Sequence, residues 1–178
     1  MSFRWVANAF VPRINPRKRA LCAVGVLTLA GCGGGSQTVE RTVHGTGYRF
    51  AAPAEWRVVR SGRVVRVEHG LALVSVTRYA LLRSYRPALW GHVVPELDRA
   101  AAGLAAQQGG KLGESSTVTI SGRRARRYDI DFTRDGKRLV ERLAFVLRGK
   151  TEYLLLCRYE AGGDTRACDR LLATFTLG

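Results

Sequence analysis

Apolar and polar residues alternate along most of the chain beyond residue 46, and the alternation breaks twice. Tyr48-Arg49-Phe50 gives a short strand signal closed by Pro53. Trp56–Val59 and Val64–Val67 follow, parted by Ser61-Gly62, and Leu71 to Tyr79 alternates as a longer strand. These predict a strand meander. From Ala80 to Val94 the pattern is lost, which predicts a long loop bearing aromatic residues. Pro95-Glu96-Leu97-Asp98 then opens a helix, with proline and acidic residues suited to the first turn. Val94, Leu97, Ala101, Leu104, Ala105 and Gln108 share one helical face, and Gly109-Gly110 ends it.

The second half returns to period two. Thr117–Ile120 leads through Ser121-Gly122 into Arg123–Thr133, where Tyr128, Ile130 and Phe132 share one face. Asp135-Gly136 is a strong hairpin signal. A two-residue turn there sets Phe132 opposite Leu139, Tyr128 opposite Leu143 and Asp129 opposite Arg142. It also sets Ile130 against Glu141, a poor match. Leu139–Leu147 and Thr151–Tyr159 are two further strands, and a last helix starts at Asp164, with Cys168, Leu171, Leu172 and Phe175 on one face. The order of strands, helix, strands, helix predicts an α+β fold, an antiparallel β-sheet flanked by helices.

The N-terminus follows a different logic. Arg13, Arg17, Lys18 and Arg19 precede an apolar stretch from Ala20 to Leu29, and no acidic residue occurs before Glu40. A basic segment, a short apolar core and small residues at a cleavage point make a secretory signal. A stretch of ten residues falls short of the roughly 20 apolar residues that cross a bilayer. Leu29-Ala30-Gly31-Cys32 resembles the bacterial lipobox, which implies cleavage before Cys32 and a diacylglyceryl group on its thiol. Residues 1–31 are then the signal peptide, 32–45 a flexible tether starting Gly33-Gly34-Gly35-Ser36, and 46–178 one domain. The implied location is the extracytoplasmic face of the cell membrane.

Charge and cysteines change the picture within that compartment. The 29 Lys and Arg, less five before Cys32, leave 24 against 14 acidic residues, a mature net charge of +10. So basic a chain attracts polyanions, which outside a membrane are anionic lipids and wall polymers rather than nucleic acid. Arginine dominates the basic residues, so a general compositional bias is the plainer reading of the same charge. Cys157 and Cys168 remain after Cys22 leaves with the signal, and an even pair in an exported domain reads as a disulfide, two buried free thiols being the alternative.

Tyr48-Arg49-Phe50-x-x-Pro53-x-x-Trp56, the mid-chain helix, and the ending with Cys157, Cys168 and Phe175 resemble PsbP-like domains. More narrowly, the mature chain is similar to the LpqN-type lipoproteins of high-GC Gram-positive bacteria. That resemblance implies an α/β/α sandwich and accessory or binding roles, with no catalytic residues or cofactor to carry over.

The side chains offer little chemistry. His44, His69 and His92 have no cysteine, histidine or carboxylate at metal-ligand spacing. Asp129, Asp131 and Asp135-Gly136 depart from a calcium loop at Thr133 and fit a hairpin better. No serine sits in Gly-x-Ser-x-Gly, and the glycine pairs Gly109-Gly110 and Gly162-Gly163 punctuate helices without completing a phosphate-loop Gly-x-x-x-x-Gly-Lys-Ser/Thr pattern. The expectation is a non-catalytic binding lipoprotein for an envelope protein, lipid or glycan. An envelope hydrolase with an unadvertised site and a purely structural subunit are the alternatives. Two candidate surfaces stand out: the aromatic segment with Tyr79, Tyr85, Trp90 and His92, and the basic run Arg123, Arg124, Arg126 and Arg127, whose alternation puts two guanidinium groups on each face of a strand.

Overall fold

The computed structural model describes residues 39–178, and Cys32 with the predicted signal lies outside them. Residues Thr38–Gly178 form a compact unit by themselves. Among the described residues, nine strands and two α-helices run in the order β1 (Glu40–Gly45), β2 (Tyr48–Pro53), β3 (Arg57–Ser61), β4 (Val64–His69), β5 (Ala72–Tyr85), α1 (Trp90–Gln107), β6 (Lys111–Ile120), β7 (Arg123–Arg134), β8 (Lys137–Glu160), α2 (Arg166–Thr174) and β9 (Thr176–Leu177). The strands form an antiparallel six-stranded sheet ordered β3-β4-β5-β8-β7-β6 and a small sheet ordered β1-β2-β9. α1 packs on β6 and β7, while α2 packs on β2, β5 and β8. The α+β class expected from the sequence is the class observed.

The hairpin register holds pair by pair. Phe132 faces Leu139, Tyr128 faces Leu143 and Asp129 faces Arg142. Asp135 and Gly136 take φ of 51° and 74°, the left-handed values that a type I′ turn needs at both central positions. The poor match, Ile130 against Glu141, is resolved by burial of the carboxylate rather than its exposure. Glu141 is 1% exposed, and it accepts hydrogen bonds from Arg158 Nε at 2.7 Å and from Gln108 Nε2 at 2.7 Å. Gln108 caps the C-terminal end of α1, so this carboxylate fastens the helix to the sheet.

β8 is extended throughout but doubles back at Gly149, whose φ is 53°. Its ends lie side by side: Ala161 N–H donates to Arg138 O at 2.9 Å, and Lys137 pairs with Glu160 at 3.1 Å. The two arms are therefore the two strands read from the sequence, one pairing with β7 and the other with β5. The folding back brings Ala144 and Val146 of one arm into the same core as Leu155 and Cys157 of the other. That core also holds Val43, Tyr48, Phe50 and Phe175, and it fills the space between the two sheets. Cys157 on β8 and Cys168 on α2 are joined as a disulfide, with Cα atoms 5.4 Å apart.

Several boundaries differ from the sequence reading: β5 runs on to Tyr85 and β6 begins already at Lys111. β1 occupies Glu40–Gly45, within the segment read as tether, because Val43 enters the core and the whole strand pairs with β2. α1 starts at Trp90 instead of near Pro95, after a single 3₁₀ turn at Pro87–Leu89. The proline that sets the first turn is Pro87, whereas Pro95 lies inside the helix and removes one N–H from its second turn. α2 starts at Arg166, two residues after Asp164, whose Oδ1 accepts the Arg166 N–H at 2.9 Å.

Candidate functional site

The registers bring four chain turns to one end of the six-stranded sheet. Ser61 pairs with Val64, and Val64 with Thr77 on β5. Ala80 and Tyr85 pair with Thr151 and Gly149 beside the bend of β8. Ile120 pairs with Arg123, and Ala125 with Val146 just before that bend. Residues 60–64, 77–90, 119–125 and 147–151 thus share one pole, and together they carry nine lysine and arginine side chains and no aspartate or glutamate. Arg63, Arg78, Arg86, Arg124, Arg148 and Lys150 are exposed there. Acidic side chains cluster at the other pole, among them Glu55, Glu68, Asp135, Glu160 and Asp164. The chain also enters β1 at that acidic pole, where Ala54 N–H donates to Val39 O at 2.8 Å.

No loop presents the four aromatic candidates. Tyr79 and Tyr85 lie on β5, which runs to residue 85, and Trp90 and His92 lie in the first turn of α1. Tyr79 and Trp90 nevertheless both meet arginines of the cationic pole. The Arg63 guanidinium carbon is 5.6 Å from the Tyr79 ring centroid, and that of Arg124 is 5.9 Å from the Trp90 ring. At this range each cation is drawn to an aromatic face by the ring's quadrupole. Burial pushes the Tyr79 phenol above its ordinary pKa, Glu152 adds to the rise, and Arg63 opposes it. Tyr85 stands beside the β8 bend, and His92 is exposed.

The basic run splits between the two faces of β7. Arg126 turns toward α1, where its Nε donates to Asp98 Oδ1 at 3.1 Å and its Nη2 to Ser115 Oγ at 2.6 Å. Asp98 also accepts from Tyr128 at 2.6 Å, so Arg126 belongs to a cluster that secures α1. Arg124 is on the same face but exposed at the pole, while Arg123 and Arg127 are half-buried on the other. These four arginines form no single patch. The structure instead adds cations from turns distant in sequence.

Among the described residues, no three His, Cys, Asp or Glu side chains converge as a metal site. Among the same residues, no helix is long and apolar enough to cross a membrane. The exposed Leu82, at 77%, projects from the cationic pole as an isolated apolar side chain.

The sequence matches no protein-family model and no curated protein sequence. Solved structures do match in fold. A protein of Bacteroides thetaiotaomicron aligns with a TM-score of 0.55 and 13% identity, over 74% of this chain and 45% of that one. This chain therefore spans less than half of that protein's length. LpqN of Mycobacterium tuberculosis, described as involved in cell envelope biogenesis, aligns at a TM-score of 0.47 and 11% identity. That alignment covers 78% of this chain and 90% of LpqN. At such identities a likeness concerns fold alone. The class defined by fold and site is an antiparallel α+β domain with one pole whose turns carry cations and no acidic side chain.

Proposed function

We propose that this chain is an extracytoplasmic lipoprotein of the LpqN type, anchored through Cys32, that works by binding a partner and not by catalysis. The partner is a negatively charged component of the envelope, protein, lipid or glycan, taken at the cationic pole. The observation that carries this reading is the distribution of charge: a compositional bias alone would scatter acids among bases, yet four separate turns combine nine cations with no acidic side chain. Tyr79 and Trp90 add flat apolar surfaces beside Arg63 and Arg124, so the pole offers stacking and hydrogen bonding together. The anchor rests on Leu29-Ala30-Gly31-Cys32 following a basic segment and an apolar core. Two acyl chains, at about 0.8 kcal/mol per buried CH₂, hold a protein on a bilayer where one does so only marginally.

The test is a pull-down of the native protein from membranes, with mass spectrometry of the bound proteins, lipids and glycans. An anionic component should co-purify with the natural chain and be lost from an Arg63→Glu, Arg86→Glu, Arg148→Glu variant. Equal recovery with both chains overturns the reading of the pole. Separately, Cys32→Ala should abolish acyl labelling and membrane retention; normal acylation of that variant overturns the anchor.

A further inference from the structure

A second site lies apart from the exposed turns of the pole, where the two sheets fail to close. β1 is an edge of the small sheet and β3 an edge of the large one. A groove of about 500 Å³ opens between them, lined by Arg41, Thr42, Val43, Val58 and Arg60. That volume falls within the range of small-molecule sites.

The lining has two chemical halves. Val43 is 3% exposed and belongs to the core between the sheets, and Val58 packs against the same core, so the floor is apolar. The walls are cationic, and no carboxylate lines the groove. Each guanidinium is steadied by a neutral backbone carbonyl: Arg41 Nη2 donates to Trp56 O, and Arg60 Nη2 to His44 O at 3.3 Å. Neither contact cancels any charge. Arg41 Nε is in addition buried with no hydrogen-bond partner, which costs a guanidinium dearly unless an acceptor arrives. Other inward arginines of this fold meet carboxylates, Arg126 with Asp98 and Arg158 with Glu141. Arg41 faces the groove instead.

We propose that the groove between β1 and β3 binds an amphipathic oxyanion, a phosphate or carboxylate held by Arg41 and Arg60 with its alkyl body on Val43 and Val58. Two guanidinium groups supply planar donor edges suited to two oxygens of one anion. An open sandwich edge lets the apolar portion follow the valines toward the core. The site is independent of the partner proposed for the pole, because its lining reaches that pole only through Arg60.

The experiment is calorimetric titration of the full chain, purified in a neutral maltoside detergent, with hexyl phosphate, hexanoate, inorganic phosphate and hexanol. Saturable binding is expected for hexyl phosphate or hexanoate, whichever head group the site takes, at least tenfold tighter than for inorganic phosphate or hexanol. Arg41→Gln should weaken it tenfold or more. Arg60→Gln, at an exposed position, should weaken it at least threefold, while Arg86→Gln at the pole leaves it unchanged. Equal binding of inorganic phosphate, no saturable binding of either amphiphile, or equal loss with Arg86→Gln would each overturn the proposal. The pole's reading is untouched by any of these results, since it is decided by the pull-down.

Discussion

Glu152 and Tyr79 face each other across neighbouring strands, and Glu152 keeps one carboxyl oxygen buried without a hydrogen-bond partner. Glu152 is 2% exposed, and desolvation pushes its pKa from 4.5 up to about 8. The consequence for stability has a definite sign. Below about pH 4.5 the group is protonated folded or unfolded and contributes nothing to the pH dependence. Between pH 4.5 and 8 the folded chain keeps a proton that the unfolded chain releases, so stability falls as pH rises through that window. The full penalty is present above pH 8. Glu152→Gln should therefore stabilise the protein by up to about 3 kcal/mol at pH 8.5, with the gain vanishing toward pH 4.5. Urea unfolding of both chains at several pH values checks this, and a difference that does not change with pH refutes it.

Much of the fold was legible because local signals agreed with tertiary packing. Asp135-Gly136 fixed one turn, and period two then fixed the whole β7–β8 register. Where the reading failed, the decisive contact was far away in sequence. In β1 only Val43 is fully buried, so its six residues, which end at Gly45, read as linker. The end of β5 loses alternation because its register shifts between Ala80 and Tyr85. Pro95 imitated a helix start that Pro87 provides. The cationic pole was invisible for a different reason: each turn contributes only two or three cations, and only the sheet order adds them together. The run at Arg123–Arg127 looked denser in sequence, yet its faces diverge in space.

The Cys157–Cys168 bond closes a short loop and ties α2 to β8. In the chain-entropy account, closing such a loop lowers the free energy of folding by about 2–4 kcal/mol, although the split between entropy and enthalpy depends on the account used. Reduction, or a paired Cys157→Ala, Cys168→Ala change, should lower the denaturation midpoint accordingly. It should also speed hydrogen exchange in α2 before the central strands. Two thiols titrated in the denatured, unreduced protein would show that the bond is not formed.

Electrostatics at the pole can be tested without knowing the natural partner. Polyphosphate is a plain polyanion, and the domain should bind it at low salt. Exposed charges are screened over about 8 Å at physiological ionic strength, so binding should weaken steeply between 50 and 500 mM salt. The Arg63→Glu, Arg86→Glu, Arg148→Glu variant should lose at least tenfold. Arg134→Glu, Lys137→Glu, Arg138→Glu, at the opposite pole, makes the same change in net charge and should lose much less. Equal losses from the two variants would mean that net charge, and not its placement, governs attraction.

The buried Glu141 network sets a sharper test of what fastens α1 to the sheet. Glu141 is 1% exposed and is bonded on one oxygen by Arg158 and on the other by Gln108. Taking a carboxylate from water costs several kcal/mol, and the pair recovers that cost only while its geometry is complete. Glu141→Leu alone leaves the Arg158 cation and the Gln108 amide without their acceptor. That change should cost about 3–5 kcal/mol, near the full stability of a marginal domain. Arg158→Leu alone should be milder, because Gln108 still bonds the carboxyl and a proton can neutralise it. The double change, Glu141→Leu with Arg158→Leu, removes both charges and sets two apolar side chains beneath α1, so it should recover most of the loss. The double-mutant coupling read from urea unfolding should therefore be large and favourable. Additive single effects would show that the two side chains do not depend on each other, and that α1 is held by its apolar face alone.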